Sequence, residues 1–450
     1  MKRKIKRVLI ANRGEIAVRI IRACKELKIE SVAVYSEADR DSLHVRMADK
    51  AVCIGLASAG KSYLNAQAIL ATALAYKADA IHPGYGFLSE NPEFALLCEQ
   101  EGVTFVGPSS QTIRSMGDKV AARALAQRAG VPTTPGSEGA IEDIKEAQKV
   151  AAEIGYPVLL KASAGGGGRG MRVVESPSDL DKNLKEAMGE AQSAFGNPAV
   201  YIEKYMMNIR HIEIQVLGDG KTAIHLGERD CSTQRRNQKL IEESPSTVLK
   251  AEVRNAMAAA AVNLCQLAEY SSAGTIEYIY DQDEDKFYFI EMNTRIQVEH
   301  PVTEVVTGID LVKHQFLIAD GESLSLRQSD IASHGHAIEF RINAEDFENG
   351  FRPSPGTIGL VRLPGGPGVR VDTHIYPGYA VPPFYDSLLA KVICFGVNRD
   401  EALARAARAL DEMVVEGVKT TIPFHRQIIA HPIFRTGSIN TRFVHDFLGF

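Results

Sequence analysis

Apolar residues in the first quarter of the chain come in short blocks separated by amphipathic stretches. Arg7-Val-Leu-Ile-Ala11 predicts a strand, and Gly14 to Leu27 carries apolar side chains at helical spacing. Ser31-Val-Ala-Val-Tyr35, Ala78-Asp-Ala-Ile-His82 and Val103-Thr-Phe-Val106 continue the series of strands. This alternation predicts a parallel α/β unit over residues 1–115. From about residue 116 the pattern changes. Lys119 to Ala129 and Ile141 to Ile154 predict helices, and Pro157-Val-Leu-Leu-Lys161 and Met171-Arg-Val-Val174 predict strands on either side of a glycine run. Past residue 205, segments such as Ile212-Glu-Ile-Gln-Val216 predict antiparallel strands, and Ala251 to Tyr270 predicts an alanine-rich helix. From about 335 a third region combines strands, Pro-Gly turns and an amphipathic helix from Arg399 to Glu416. No internal repeat or low-complexity linker separates these regions, so tightly packed domains are expected.

Composition narrows the classes. A chain of 450 residues corresponds to roughly three domains of about 150 residues. Apolar residues at 45% and charged residues at 24% permit sizeable cores and exclude wholesale disorder. The formal net charge of −5 argues against a nucleic-acid partner, which calls for a basic excess. No run approaches the ~18 apolar residues of a membrane span. After the basic start Met1 to Arg7, the apolar stretch Val8-Leu-Ile-Ala11 is too short for the core of a signal peptide. The six cysteines lie scattered without a CxxC pair and read as buried thiols of a reducing compartment. The expectation is a soluble, cytoplasmic α/β protein, α+β in parts.

Two segments are candidate nucleotide sites. Gly55 to Ser62 satisfies G-x4-G-K-[ST], with Lys61 and Ser62 in the places of a P-loop. The alternative is a turn that matches by accident, and no following strand ends in the aspartate that usually completes such a site. The second candidate is the run Gly165-Gly-Gly-Gly168. Between two strands it fits a hairpin tip that closes over phosphates, and Lys161 and Lys119 lie upstream of it.

The stretch 275–299 weighs most. Thr275 to Tyr280 and Lys286 to Asn293 read as a hairpin around the acidic turn Asp281 to Asp285, which sets Glu277 almost opposite Glu291. Asn293 shares the face of Glu291 because side chains alternate along a strand. Facing carboxylates need a proton or a cation between them, and oxygen ligands of this kind fit Mg²⁺ or Mn²⁺ on phosphate oxygens. Arg295, Gln297 and Glu299 continue the same parity. If the chain stays extended, that face can hold a small anion beside a terminal phosphate, with Glu299 in reach as a general base.

These residues resemble the biotin carboxylase branch of the ATP-grasp enzymes. The matching strings are Ala11-Asn-Arg-Gly-Glu-Ile-Ala17, His82 to Glu90, Lys161 to Met171, Glu228-Arg-Asp-Cys-Ser232, Glu291 to His300, Gly335 to Glu345 and Tyr385-Asp-Ser387. The likeness runs from about residue 3 to 450. It implies a Rossmann-like N-terminal domain (1–115), an ATP-grasp domain (116–334) with a mobile lid over about 134–205, and a β-rich C-terminal domain (335–450). It also demotes the Gly55–Ser62 motif.

By the resemblance, Lys119, Lys161, Lys239 and the loop glycines Gly166, Gly167 and Gly168 would hold phosphates. Glu203, Lys204 and Met206 would line the adenine site, with His211 and Gln234 near the ribose. Glu277, Glu291 and Asn293 would bind two Mg²⁺ or Mn²⁺ ions. Arg295, Gln297 and the backbone of Val298 would hold bicarbonate, and Arg341 would meet biotin. Glu299, Arg341, Arg295 and Lys239 would form the catalytic set. Many relatives have His where this chain has Asn237, which puts that nucleotide contact in doubt.

The implied reaction is ATP-dependent carboxylation of biotin by bicarbonate through carboxyphosphate. Without an Ala-Met-Lys-Met attachment motif, the biotin is expected on a separate biotin carboxyl carrier protein. Carboxyltransferase subunits and a second copy of this chain (a homodimer) are the other expected partners. Acetyl-CoA is the expected final acceptor, with pyruvate and propionyl-CoA as alternatives. Another ATP-grasp ligase, of the carbamoyl-phosphate or purine-pathway kind, is the rival enzyme, and a non-catalytic nucleotide sensor the rival from another class.

Overall fold

The computed structural model describes residues 4–449 except 138, 142, 163–170 and 196. Its N-terminal part is a five-stranded parallel sheet in the order Lys50–Gly55, Glu30–Ser36, Arg7–Ile10, Ala80–His82, Thr104–Phe105. Helix Gly14–Leu27 buries Ile16, Ala17, Ile20, Ile21 and Cys24 and ends on Lys28 in the left-handed region, φ 58°. Strand order reverses between Arg7–Ile10 and Ala80–His82, which opens a crevice beyond their carboxyl ends. The loops there are tied together by Asn12, whose Nδ2 donates to the carbonyls of Pro83 and Tyr85, each at 2.7 Å.

The Gly55–Ser62 motif does not form a P-loop. Only a 3₁₀ turn, Ala59–Lys61, follows the strand, and the next α-helix begins at Ala66. Gly55 is required for a local reason: a Cβ there would stand 2.0 Å from the Lys61 carbonyl oxygen. Ser62 Oγ donates to the Ser58 carbonyl at 2.9 Å. Lys61→Ala is therefore expected to leave ADP affinity unchanged in titration calorimetry, and lost binding would restore the P-loop.

The second unit has its own core. Strands Met171–Val174, Val158–Ala162 and Val200–Lys204 form a three-stranded antiparallel sheet. Helices Ile144–Ile154 and Pro177–Phe195 cover it through Ala147, Ala151, Leu180, Leu184 and Ala187.

The rest is organised by one eight-stranded sheet. It begins with Lys286–Asn293, Ser271–Asp281, Ile209–Asp219, Ala223–Arg235 and Gln238–Ser244, and continues through His336–Asn343, Leu388–Gly396 and Val369–Thr373. The sheet thus runs across the expected break at 334–335. The break expected at 115–116 falls inside helix Ser110–Gly117; the chain turns instead at Asp118, whose side chain caps the following helix through Ala121 N. Val8, Ile10, Ile16 and Ile20 share a core with Leu217, Ala273, Ile296 and Phe316, so the parallel sheet and the long sheet are packed directly together.

Five cysteines are buried. Cys53, on the edge strand of the parallel sheet, is exposed, against expectation. No described helix is long and apolar enough to cross a membrane.

Candidate active site

A cavity of about 1320 Å³ lies where the three parts meet, bordered by Asn12, Arg13 and Tyr85 from the switch-point loops and by Lys161 and Glu203 from the small sheet. The long sheet supplies the remaining wall. Of the residues singled out from the sequence, Lys119, Lys161, Glu203, His211, Gln234, Lys239, Glu277, Glu291, Asn293, Arg295, Gln297, Val298, Glu299 and Arg341 all border it. Lys204 and Met206 do not. Strand alternation turns Lys204 away from Glu203, and its Nζ instead reaches the Gly155 carbonyl at 3.4 Å. Gly166, Gly167 and Gly168 lie outside the described residues.

The hairpin register is as the acidic turn predicts: Glu277 stands opposite Glu291 and Thr275 opposite Asn293. Ladder pairing stops at Asn293, yet Arg295, Gln297 and Glu299 still face the cavity while Ile296 packs into the core on the other side. Glu299 then immediately precedes helix His300–Thr307.

Lys239 is the hub. Its Nζ lies 2.6 Å from Glu213 Oε2, 2.8 Å from Glu277 Oε1, 2.7 Å from Glu299 Oε1 and 3.2 Å from Gln297 Oε1. An ammonium has three protons, so these four acceptors outnumber its donors. Burial disfavours its charge, but Glu213, Glu277 and Glu299 raise its pKa well above the ordinary value. Arg341 bridges two acids, donating from Nε to Glu242 Oε1 at 2.6 Å and from Nη2 to Glu299 Oε2 at 2.9 Å. Burial works against ionisation of Glu299, yet Lys239, Arg341 and Arg229 together hold it well below the usual carboxylate range. Glu242 goes the other way: burial lifts it to about 7 despite Arg341.

Glu277 accepts from Asn293 Nδ2 at 2.9 Å and from Gln297 Nε2 at 2.8 Å. Its Oε2 lies 2.9 Å from His211. Burial opposes its charge, but Lys239 and His211 hold it well below the carboxylate range. The exposed Glu291 carboxylate has no hydrogen bond or ion pair among the described residues, and partial desolvation, then Glu277 and Glu90, raise it. An oxygen-donor set of two facing carboxylates and an amide, with one carboxylate unpartnered, fits a hard divalent cation. Arg295 is aimed by Glu90 Oε2 at 2.9 Å and Asn293 Oδ1 at 2.8 Å.

Several functional neighbours are not assigned by sequence reasoning. Glu213, Arg229 and Glu242 are fully buried beneath the site, and Tyr85 borders the cavity. Glu213 shows in the sequence as one of two polar positions, with Gln215, of Ile212 to Val216, a pattern that a solvated strand face shares. His82 Nδ1 accepts from Gly84 N at 3.1 Å, within the Pro-Gly loop. Asn237 borders the cavity at the tip of a tight hairpin, φ 65°, beside Arg236 at φ 48°. Such a turn favours Asn.

A switch-point crevice and a small separate sheet facing a long antiparallel one, around a cavity of cations and carboxylates, are the marks of an ATP-grasp ligase. Three family models match: "Biotin carboxylase, N-terminal domain" over 4–113, "Carbamoyl-phosphate synthase L chain, ATP binding domain" over 118–327, and "Biotin carboxylase C-terminal domain" over 339–446. Biotin carboxylase 1 of Bacillus subtilis is 58% identical over 98% of this chain and 99% of its own length. A solved structure of the biotin carboxylase domain dimer of Hydrogenobacter thermophilus 2-oxoglutarate carboxylase, with MgADP, ADP and bicarbonate, is 51% identical. It superposes with a TM-score of 0.91 over 99% of this chain and 98% of that one. The solved biotin carboxylase component of a pyruvate carboxylase is 50% identical, with a TM-score of 0.89 over 99% of this chain and 98% of that one. The chain belongs to the biotin carboxylase family and is an ATP-dependent carboxylase.

Proposed function

We propose that this protein carboxylates biotin held on a separate carrier protein, using ATP and bicarbonate, as the first half-reaction of acetyl-CoA carboxylase. The observation that carries the reading is the meeting of Lys239, Arg341 and Glu299 beside Arg295 and Gln297 in one cavity. A phosphoryl donor, a small anion and a third reactant can meet there. The separate core of the small sheet supports its reading as a lid over the nucleotide, with Lys119 and Lys161 toward the phosphates. The MgADP and bicarbonate bound by the Hydrogenobacter enzyme support the same ligands here, and its dimer supports a homodimer.

In this reading Arg295, Gln297 and the backbone of Val298 orient bicarbonate, and Glu299 takes its proton. The resulting dianion attacks the γ-phosphate; the bond to ADP breaks and carboxyphosphate forms. Glu277, Glu291 and Asn293 would hold the divalent cations, which when bound neutralise charge on the phosphate oxygens. Lys239 shares that task, since positioning and charge neutralisation dominate phosphoryl transfer. Carboxyphosphate then releases CO₂ and phosphate, the phosphate accepts the ureido proton of biotin, and the freed nitrogen attacks CO₂. Arg341 stabilises the enolate oxygen of biotin meanwhile. The ion pairs explain how so weak a base can act. Lys239 and Arg341 keep Glu299 ionised in the free protein, and Lys239 has an alternative anion at the start of the reaction, the phosphates of ATP. As Lys239 transfers, the proton affinity of Glu299 rises.

ADP release measured with bicarbonate, with and without free biotin, tests the reading. Release that requires bicarbonate and rises with biotin is expected. Release indifferent to biotin would point to another ATP-grasp ligase, and no release to a nucleotide sensor. The similarity to the biotin carboxylase component of a pyruvate carboxylase favours pyruvate as the second acceptor to try; reconstitution with each carboxyltransferase separates the two.

A further inference from the structure

The loop that carries Glu299 rests on a charged group behind it. Lys391, on strand Leu388–Gly396, has a side chain 0% exposed and does not border the cavity. Its Nζ donates to the Val298 carbonyl at 2.8 Å and lies 3.1 Å from Glu15 Oε1. The same Glu15 oxygen accepts the Tyr85 hydroxyl. Glu15 opens helix Gly14–Leu27, and Tyr85 follows strand Ala80–His82, so both belong to the switch point of the parallel sheet. Lys391 belongs to the long sheet, directly opposite Arg341 in register. One ammonium therefore joins the parallel sheet, the long sheet and the substrate loop.

A methionine would fill the same space without the cost of burying a charge, so packing does not account for a lysine here. What the lysine adds is direction. The peptide group is planar, so a hydrogen bond to the Val298 carbonyl fixes the plane of the Val298–Glu299 peptide and the angle at which Glu299 leaves the chain. Glu15 balances the charge and anchors the ammonium to the helix start.

The geometry points to Lys391 and Glu15 as a positioning pair that locks the Val298–Glu299 peptide toward bicarbonate. This rests on the proposed function, in which these two residues meet that anion. Neither member of the pair touches the lysines placed at the phosphates, so the effect of losing it falls on bicarbonate and spares the nucleotide.

The test is ADP release by Lys391→Met, titrated with bicarbonate at saturating ATP and with ATP at saturating bicarbonate. KM for bicarbonate is expected to rise about tenfold, the scale of a small misplacement of a reacting group, with KM for ATP unchanged. Unchanged kinetics, or both constants rising together, would overturn the pair. Should Lys391→Met fail to fold, Glu15→Gln decides: it keeps an acceptor for the ammonium and removes the charge. A bicarbonate-selective rise of about threefold is then expected, and none would overturn the proposal. Wild-type protein in the same assay keeps the two readings apart. Wild-type release indifferent to bicarbonate removes the proposed function and this inference with it, whereas bicarbonate-dependent wild type beside unaffected variants removes the positioning pair alone.

Discussion

Glu299→Gln is expected to lower bicarbonate-dependent ADP release by about 10³-fold, the range of a lost general base, while ADP binding is retained. The amide cannot take a proton, but the cations around it stay compensated. Lys239 keeps Glu213 and Glu277, and Arg341 keeps Glu242. The substitution therefore removes a proton acceptor without stranding a buried charge, which separates a chemical effect from a folding one. Phosphate release against bicarbonate concentration, beside calorimetric titration with ADP, measures both. Turnover within a few-fold of wild type would exclude Glu299 as the base.

The ease of reading Glu299 from the sequence, and the difficulty of reading its surroundings, have one physical origin. Local periodicity carries through a hairpin, so Lys286 to Asn293 and the opposition of Glu277 to Glu291 were legible from alternation and a five-residue acidic turn. The helix from Gly14 to Leu27 was equally clear because its apolar positions face a core. Strand Lys50–Gly55 is less sharply marked, since as an edge strand it buries only Ile54 and so lacks a half-buried pattern. Pairing of Gln238–Ser244 with His336–Asn343 joins segments far apart in the chain, and nothing local announces it. That pairing carries the long sheet across an expected domain break and puts Glu242 beside Arg341.

The buried acids were hidden for a related reason. Polar residues alternating with Ile and Val read as a solvated strand face, and only the tertiary fold turns Glu213 and Gln215 inward, each 0% exposed. Sequence alone recognises charges at a site when their order is unusual, as in Glu291 to Glu299. It does not reveal the compensating charges that allow such an order to be buried. The same limit applied to Lys391, which reads as one more lysine in an apolar strand.

Arg229→Met is expected to produce the largest loss of stability of any single change proposed here. The guanidinium is completely buried and makes four hydrogen bonds: to Glu213 Oε1 at 2.6 Å, Gln215 Oε1 at 2.6 Å, Thr303 Oγ1 at 3.0 Å and Thr275 Oγ1 at 3.0 Å. Methionine fills part of the volume but leaves Glu213, itself 0% exposed, with Lys239 as its remaining ion-pair partner. Removing one member of a buried pair costs about 3–5 kcal/mol, because the other charge stays desolvated. A urea titration followed by far-UV circular dichroism reads the loss. Adding Glu213→Gln to Arg229→Met is expected to restore a substantial part of it, since the stranded charge then disappears; two losses that simply add would mean the pair is not coupled. The exposed helix pair Lys185–Asp181 supplies the contrast, because Lys185→Ala should cost no more than about 0.5 kcal/mol. In Arg229→Met, Glu213 would draw Lys239 away from Glu277 and Glu299, so the substitution should also slow ADP release. A fully active, fully stable Arg229→Met would show that the ion-pair floor beneath Glu299 is dispensable.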